Sequence, residues 1–155
     1  MSNQTFFLDV NIPMYAAGAD HPRKSACVWV MQEIARGRVN AAVDTEIIQE
    51  ILHRFGAIRQ WEVGSTMAES LLDLVPTVYP VHAGDLRKAI NVFRKYGPQG
   101  ITARDALHVA VMLNNGLTHI LSTDTHFDLV VGITRIYLGT EDQARLDLEQ
   151  FNVPD

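Results

Sequence analysis

Apolar residues along the chain fall into two alternating kinds of segment. Thr5–Val10, Asn40–Val43, Thr77–Val81, His119–Ser122 and Gly132–Tyr137 are short apolar or alternating runs and read as strands. Between them lie longer stretches with helical spacing: 22–36, stopped near Gly37, then Thr45–Ile58, 66–74, 83–95 and Thr102–Asn115, closed by Gly116. Pro13 sits where a helix can begin after the first strand. Thr66 and Glu69 have capping-box spacing at the start of the 66–74 helix. Gly97-Pro98-Gln99-Gly100 reads as a loop. Strands alternating with helices predict an α/β layered fold with a mostly parallel sheet. In such sheets ligands sit outside the carboxyl ends of the strands, and Asp9 and Asp124 both lie at such ends.

The chain of 155 residues, nearly half apolar, suits one domain with one core. No apolar run approaches the roughly 18–20 residues of a membrane span, and the N-terminus lacks the pattern of a signal peptide. Cys27 is the single cysteine, which excludes an intramolecular disulfide and a cysteine-built zinc site; it reads as a small buried residue. A cytoplasmic protein is expected. The net charge of −5 argues against nucleic-acid binding, but its distribution softens the objection. Five of the 18 acids and one of the 13 bases follow Thr140, so the rest of the chain is nearly balanced. Acids that bind divalent cations would turn the working surface positive.

Four acids stand out by position. Asp9 ends an apolar strand, where a lone charge is costly unless paired; it is either a helix cap or a ligand-facing group, and Asn11 can cap the helix in its place. Asp105 opens a strongly apolar helix, where Thr102 and Asp105 also have near capping-box spacing. Asp124 lies in Ser122-Thr123-Asp124-Thr125-His126-Phe127-Asp128, a polar turn in which Asp128 shares a helical face with Asp124 if a turn of helix forms. The fourth is Glu46 or Glu50. Against the stripe Ile47, Ile48, Ile51, Leu52 and Phe55, Glu46 points about 170° away and Glu50 about 130°. Glu50 is therefore the better candidate to reach over the sheet, or else it pairs with Arg54 one turn on. All-oxygen sets of this kind suit Mg²⁺ or Mn²⁺. The six histidines show no zinc-like spacing, and His108, inside an apolar helix, reads as a satisfied core histidine. Phosphate-loop, dinucleotide-fold and nucleophile-elbow motifs are missing.

The order LDVNI…VDTEIIQEILHRF…ITARDALHVAVMLNNGLTHILSTDTHFD resembles the PIN-domain family, including its VapC-type toxins, over residues 6 to about 136. The resemblance implies a three-layer, flavodoxin-like sandwich with a five-stranded sheet. It implies catalytic acids at Asp9, Glu50, Asp105 and Asp124, with metal held by Asp9, Asp105, Asp124 and Asp128. Asn11 and Thr123 would be supporting polar groups. Glu50 would ligate the metal or orient a water as base. The implied activity is Mg²⁺- or Mn²⁺-dependent hydrolysis of RNA, the implied partners an antitoxin and a second copy of the chain. Residues 1–138 would form the domain, leaving 139–155 as an acidic extension that the family does not explain.

Arg36, Arg38, Arg54, Arg59, Arg94 and Lys95 are candidate phosphate contacts, Arg54, Arg94 and Lys95 foremost, with Trp61 and Tyr96 as stacking surfaces. Two other readings compete. A haloacid-dehalogenase-like phosphatase needs Asp-x-Asp-x-Thr, whereas this chain has Asp9-Val10-Asn11-Ile12-Pro13. A non-catalytic PIN-like binding module would be marked by loss of an acid, and none is lost.

Overall fold

Phe6, Phe7 and Leu8 are apolar in succession and all buried, as a strand covered on both faces requires. In the computed structural model, which describes residues 4–151, this strand is β1 (Thr5–Leu8), the centre of the sheet. It is flanked by β2 (Asn40–Asp44) and β4 (His119–Leu121), with β3 (Thr77–Tyr79) and β5 (Thr134–Ile136) at the edges, in the order β3-β2-β1-β4-β5. Every pairing is parallel. The chain builds outward from β1 to β3, then crosses back to β4 and continues to β5. Because crossovers between parallel strands are right-handed as a rule, reversing their direction puts helices on both faces and opens a crevice where the order reverses, between β1 and β4.

The helices are α1 (Asn11–Ala17), α2 (Lys24–Ala35), α3 (Thr45–Ala57), α4 (Trp61–Leu74), α5 (Ala83–Tyr96), α6 (Ala103–Asn114) and α7 (Glu141–Glu149). α6 is buried nearly all round, as its composition predicts. Asn114 Nδ2 donates to Asp85 Oδ1 at 2.8 Å and ties α6 to α5. Cys27 is fully buried on α2, and burial pushes its thiol up to about 11. The acidic segment after Thr140 forms α7, capped by the Thr140 hydroxyl, with Glu141 and Asp142 favourably placed in its first turn. α7 packs on α2 and buries Ala144 and Leu148.

Several local expectations are corrected. α4 begins at Trp61 rather than at residue 66, so Thr66 lies inside the helix and caps nothing. Packing against α3 from the first turn overrides the local capping signal: Gly64 lies against Phe55. β3 stops at Tyr79, and the Val81 amide turns to the Thr45 hydroxyl, 3.2 Å away. Residues Gly97–Gln99 form a 3-10 turn rather than an open loop, ended by Gly100 at φ 113°. α1 starts at Asn11, with Val10 at the cap position, so Asn11 does not cap it and Pro13 falls within the first turn.

Gly64 and Gly56 test this packing. An added Cβ at Gly64 would sit 2.6 Å from the Phe55 Cβ, an atom too close to the backbone to swing away; at Gly56 it meets nothing within 4 Å. Helix propensity favours alanine by about 1 kcal/mol at either site, but overpacking costs about 1–3 kcal/mol. Urea unfolding should show Gly64→Ala destabilised by up to about 2 kcal/mol and Gly56→Ala unchanged or slightly stabilised. Stabilisation of both would mean that α3 and α4 can part freely.

Candidate active site

β1 ends one residue before Asp9, whose backbone amide donates to the Leu121 carbonyl at 3.1 Å and extends the β1–β4 pairing. The side chain is thereby delivered into the crevice. Asp9 Oδ2 accepts from the Ser122 hydroxyl at 2.6 Å, and Oδ1 from the Val10 amide at 2.8 Å. The same Ser122 oxygen accepts from the Asp124 amide at 3.0 Å, so one hydroxyl joins both strand-end acids. The support expected of Thr123 comes instead from Ser122, because Ser122 lies fully buried beside Asp9.

Asp105 enters from the first turn of α6, where its amide donates to the Thr102 hydroxyl at 3.2 Å. This cap uses the Asp105 backbone and leaves its carboxylate for the pocket. Glu50 enters from α3 and is 5 % exposed, whereas Glu46 lies on the outer side, paired with Arg104 at 3.2 Å. One pocket of about 440 Å³ is lined by Asp9, Glu50, Asp105 and Asp124 together with Asn11, Arg54 and Arg104. Larger surface hollows exist between α2 and α7 and between α1 and α4, but neither gathers this chemistry.

Arg104 and Asp44 carry no signal in local periodicity. Arg104 Nη1 lies 3.4 Å from Glu50 Oε1, and Arg54 Nη2 lies 2.9 Å from the same oxygen. Asp44, fully buried at the end of β2, caps α3 through Oδ1 and meets His108 Nδ1 through Oδ2 at 2.7 Å. His108 is thus only half satisfied: Nε2 has no hydrogen-bond partner among the described residues and lies 3.8 Å from Glu50 Oε2.

Asp128 is not brought into the pocket. Arg135 grips both its oxygens at 2.9 Å, so a guanidinium relieves the charge that a metal was expected to relieve. Arg94 bonds to Asn91 and Lys95 lies over the Tyr96 ring; neither lines the pocket. Arg36 and Arg38 are turned to Glu33. Tyr96 cannot stack on a base, because it is buried with its hydroxyl accepting from the Val131 amide, whereas Trp61 is exposed.

Crowding shows in the ionisation of these acids. Burial pushes Asp9 up to about 6, aided by the Asp105 and Glu50 charges and opposed by Ser122 and His108. Asp105 is raised by burial and by Asp124. Glu50 is pushed up by burial, but His108 and Arg54 outweigh this and hold it at about 2. A set of oxygen donors short of positive charge suits a hard divalent cation. As the side chains stand, no group of three or more His, Cys, Asp or Glu among the described residues is drawn together closely enough to hold a metal ion.

The sequence pattern of the PIN domain matches residues 6–133. The chain belongs to the PIN-domain family. Among curated PIN-domain relatives it is 36 % identical over 129 residues to Ribonuclease VapC13 of Mycobacterium tuberculosis, covering 83 % of this chain and 97 % of that protein. It is 28 % identical over 120 residues to Ribonuclease VapC23 of the same species, covering 76 % and 91 %. Among solved structures, VapC20 of M. tuberculosis, described as a sarcin-ricin loop cleaving toxin, superposes with a TM-score of 0.67 at 17 % identity, covering 80 % of this chain and 93 % of that one. VapBC2 of Rickettsia felis, solved on a promoter DNA fragment, superposes with a TM-score of 0.68 at 12 % identity, covering 86 % and 98 %. The five-stranded α/β sandwich is therefore the PIN-domain fold, with every sheet pairing parallel.

In this PIN domain the burden on Asp9 gives a signed pH effect. Its folded pKa of about 6 lies above the 3.8 of an unperturbed aspartate, so ionising it opposes folding. That penalty is absent below about pH 4, grows between 4 and 6, and is full above 6, reaching about 3 kcal/mol. Asp9→Asn can keep the Val10 amide bond through Oδ1 and the Ser122 contact with its direction reversed, Nδ2 donating to Oγ. In EDTA, urea unfolding should show the variant more stable than the parent at pH 7.5 and equal to it at pH 4. An equal difference at both pH values would remove Asp9 ionisation as the cause.

Proposed function

We propose that this protein is a VapC-type toxin that hydrolyses RNA phosphodiester bonds at the Asp9–Glu50–Asp105–Asp124 pocket, dependent on Mg²⁺ or Mn²⁺. The observation that carries the proposal is the meeting of these four carboxylates with Arg54 and Arg104 at the reversal of strand order. The VapC names of the curated relatives support the same reading. Asp9, Asp105 and Asp124 line one pocket and would hold the metal by drawing their side chains closer together, and Asp128, held by Arg135, is left out of the set. When bound, the ion would lower the pKa of a coordinated water and offset charge on the phosphate oxygens.

The chain's own residues do the rest. Arg54 and Arg104 are cations on the pocket lining, placed to receive phosphate oxygens. Glu50, held at about 2, is a poor proton acceptor at neutral pH, so it orients a water and the arginines rather than serving as base. Asn11 adds a neutral polar group beside Asp9. Likeness to the VapBC2 assembly supports an antitoxin partner, and a homodimer is proposed on the family resemblance.

RNA cleavage should stop in excess EDTA and return with Mn²⁺; cleavage that persists in EDTA would sink the mechanism. Glu50 and Glu46 should also part company at saturating Mn²⁺. Glu50→Gln should lose about 10²–10³-fold in rate, and Glu46→Gln, which alters only the outer contact with Arg104, should stay close to the parent. A dead Glu46→Gln beside an active Glu50→Gln would reverse the assignment on α3.

A further inference from the structure

His108 lies buried behind Glu50, outside the pocket lining, and takes no part in the mechanism above. It is 1 % exposed and packs beside the Phe7 ring, with centroids 5.4 Å apart. Its two ring nitrogens face carboxylates of different elements. Nδ1 meets Asp44 Oδ2 at 2.7 Å, and Nε2 faces Glu50 Oε2 at 3.8 Å. Asp44 is anchored, because its other oxygen accepts from the Ile47 amide at 3.0 Å.

The geometry constrains the protons. An ionised carboxylate only accepts, so the short contact with Asp44 requires a proton on Nδ1. If the ring were neutral, Nε2, itself shut off from solvent, would present a bare lone pair to the Glu50 carboxylate, leaving a buried acceptor unmatched beside a negative charge. A second proton on Nε2 turns this repulsion into attraction. The Nε2–Oε2 distance is longer than a hydrogen bond, so the attraction acts through charge and closes to a bond with a small side-chain shift. The raised pKa of His108, about 10 with Asp44 and Glu50 outweighing burial, agrees with this.

We propose that His108 is a positioning residue for Glu50: anchored by Asp44, its buried ring holds Glu50 Oε2 from below while Arg54 and Arg104 hold Oε1 from the rim. Gripped from both sides, the Glu50 carboxylate keeps one orientation in a pocket crowded with like charge. Because α6 also carries Asp105, one turn before His108, the same contact sets the spacing of α3 and α6 across the pocket. This role rests on the proposed nuclease reading, but its geometry can be tested apart from it.

Two measurements decide it. With ¹⁵N-histidine-labelled full-length protein, Glu50→Gln should shift the His108 Nε2 resonance strongly and Nδ1 weakly, and Glu46→Gln should shift neither. This arm needs no activity, so it stands even if the wild-type chain fails to cut RNA, an outcome that would overturn the nuclease reading alone. In single-turnover cleavage with Mn²⁺, His108→Gln should lower the maximal rate about 10–100-fold while the half-saturating RNA concentration stays within about two-fold. In a Glu50→Gln background the same substitution should have little further effect. An Nε2 resonance indifferent to Glu50→Gln would overturn the proposal whether or not His108→Gln folds. So would an equal rate loss in both backgrounds, which marks His108 as merely structural.

Discussion

Like-charge repulsion among Asp9, Glu50, Asp105 and Asp124 is the constraint around which the rest of the molecule is arranged. Burial raises the pKa of a carboxylate in this pocket, and the neighbouring carboxylates add to the effect. Asp9 and Asp105 show this, both shifted up. Glu50 escapes it because cations face both its oxygens: Arg54 and Arg104 on one side, His108 on the other. The site therefore divides into two kinds of acid. Glu50 is already compensated by the chain, and Asp9 and Asp105 are still short of positive charge, which is the condition for taking up a hard cation.

The sheet makes this arrangement stable enough to exist. β1 is buried on both faces and paired on both edges, so Asp9 at its end is carried by one of the most constrained parts of the fold. Ser122 at the end of β4 donates to Asp9 and accepts from the Asp124 amide, fixing two acids from neighbouring strands with one hydroxyl. On the other side, Asp44 at the end of β2 caps α3 and engages His108 on α6. Glu50 and Asp105 are thus aimed by helices whose first turns are fastened at the carboxyl edge of the sheet. Beyond the pocket, Arg135 compensates Asp128 in the same way.

Much of this was legible along the chain, because the signals were local. Apolar runs and helical spacing located the strands and most helices. The rotation of α3 separated Glu50 from Glu46, because Ile47 and Ile51 must face the core and leave Glu50 beside the pocket. Local signals misled where packing was stronger. Thr66 has the spacing of a cap, yet α4 runs back to Trp61 because Gly64 lets it approach Phe55. Asn11 looked like a cap for α1 and lies in its first turn instead.

The sequence alone determined the alternation of strands and helices and the resemblance to PIN domains, which in turn named the four acids to expect at one site. Each rests on periodicity, order or a short motif. The tertiary structure alone decided which charges meet. Ser122 reaches Asp9 across 113 positions, His108 reaches Asp44 across 64, and Arg104 reaches Glu46 across 58. Such pairings follow from the strand order β3-β2-β1-β4-β5, which brings distant segments to one edge of the sheet. Helical and strand periodicity extend over only a few residues, so they orient a side chain on its own element without naming the partner it will meet.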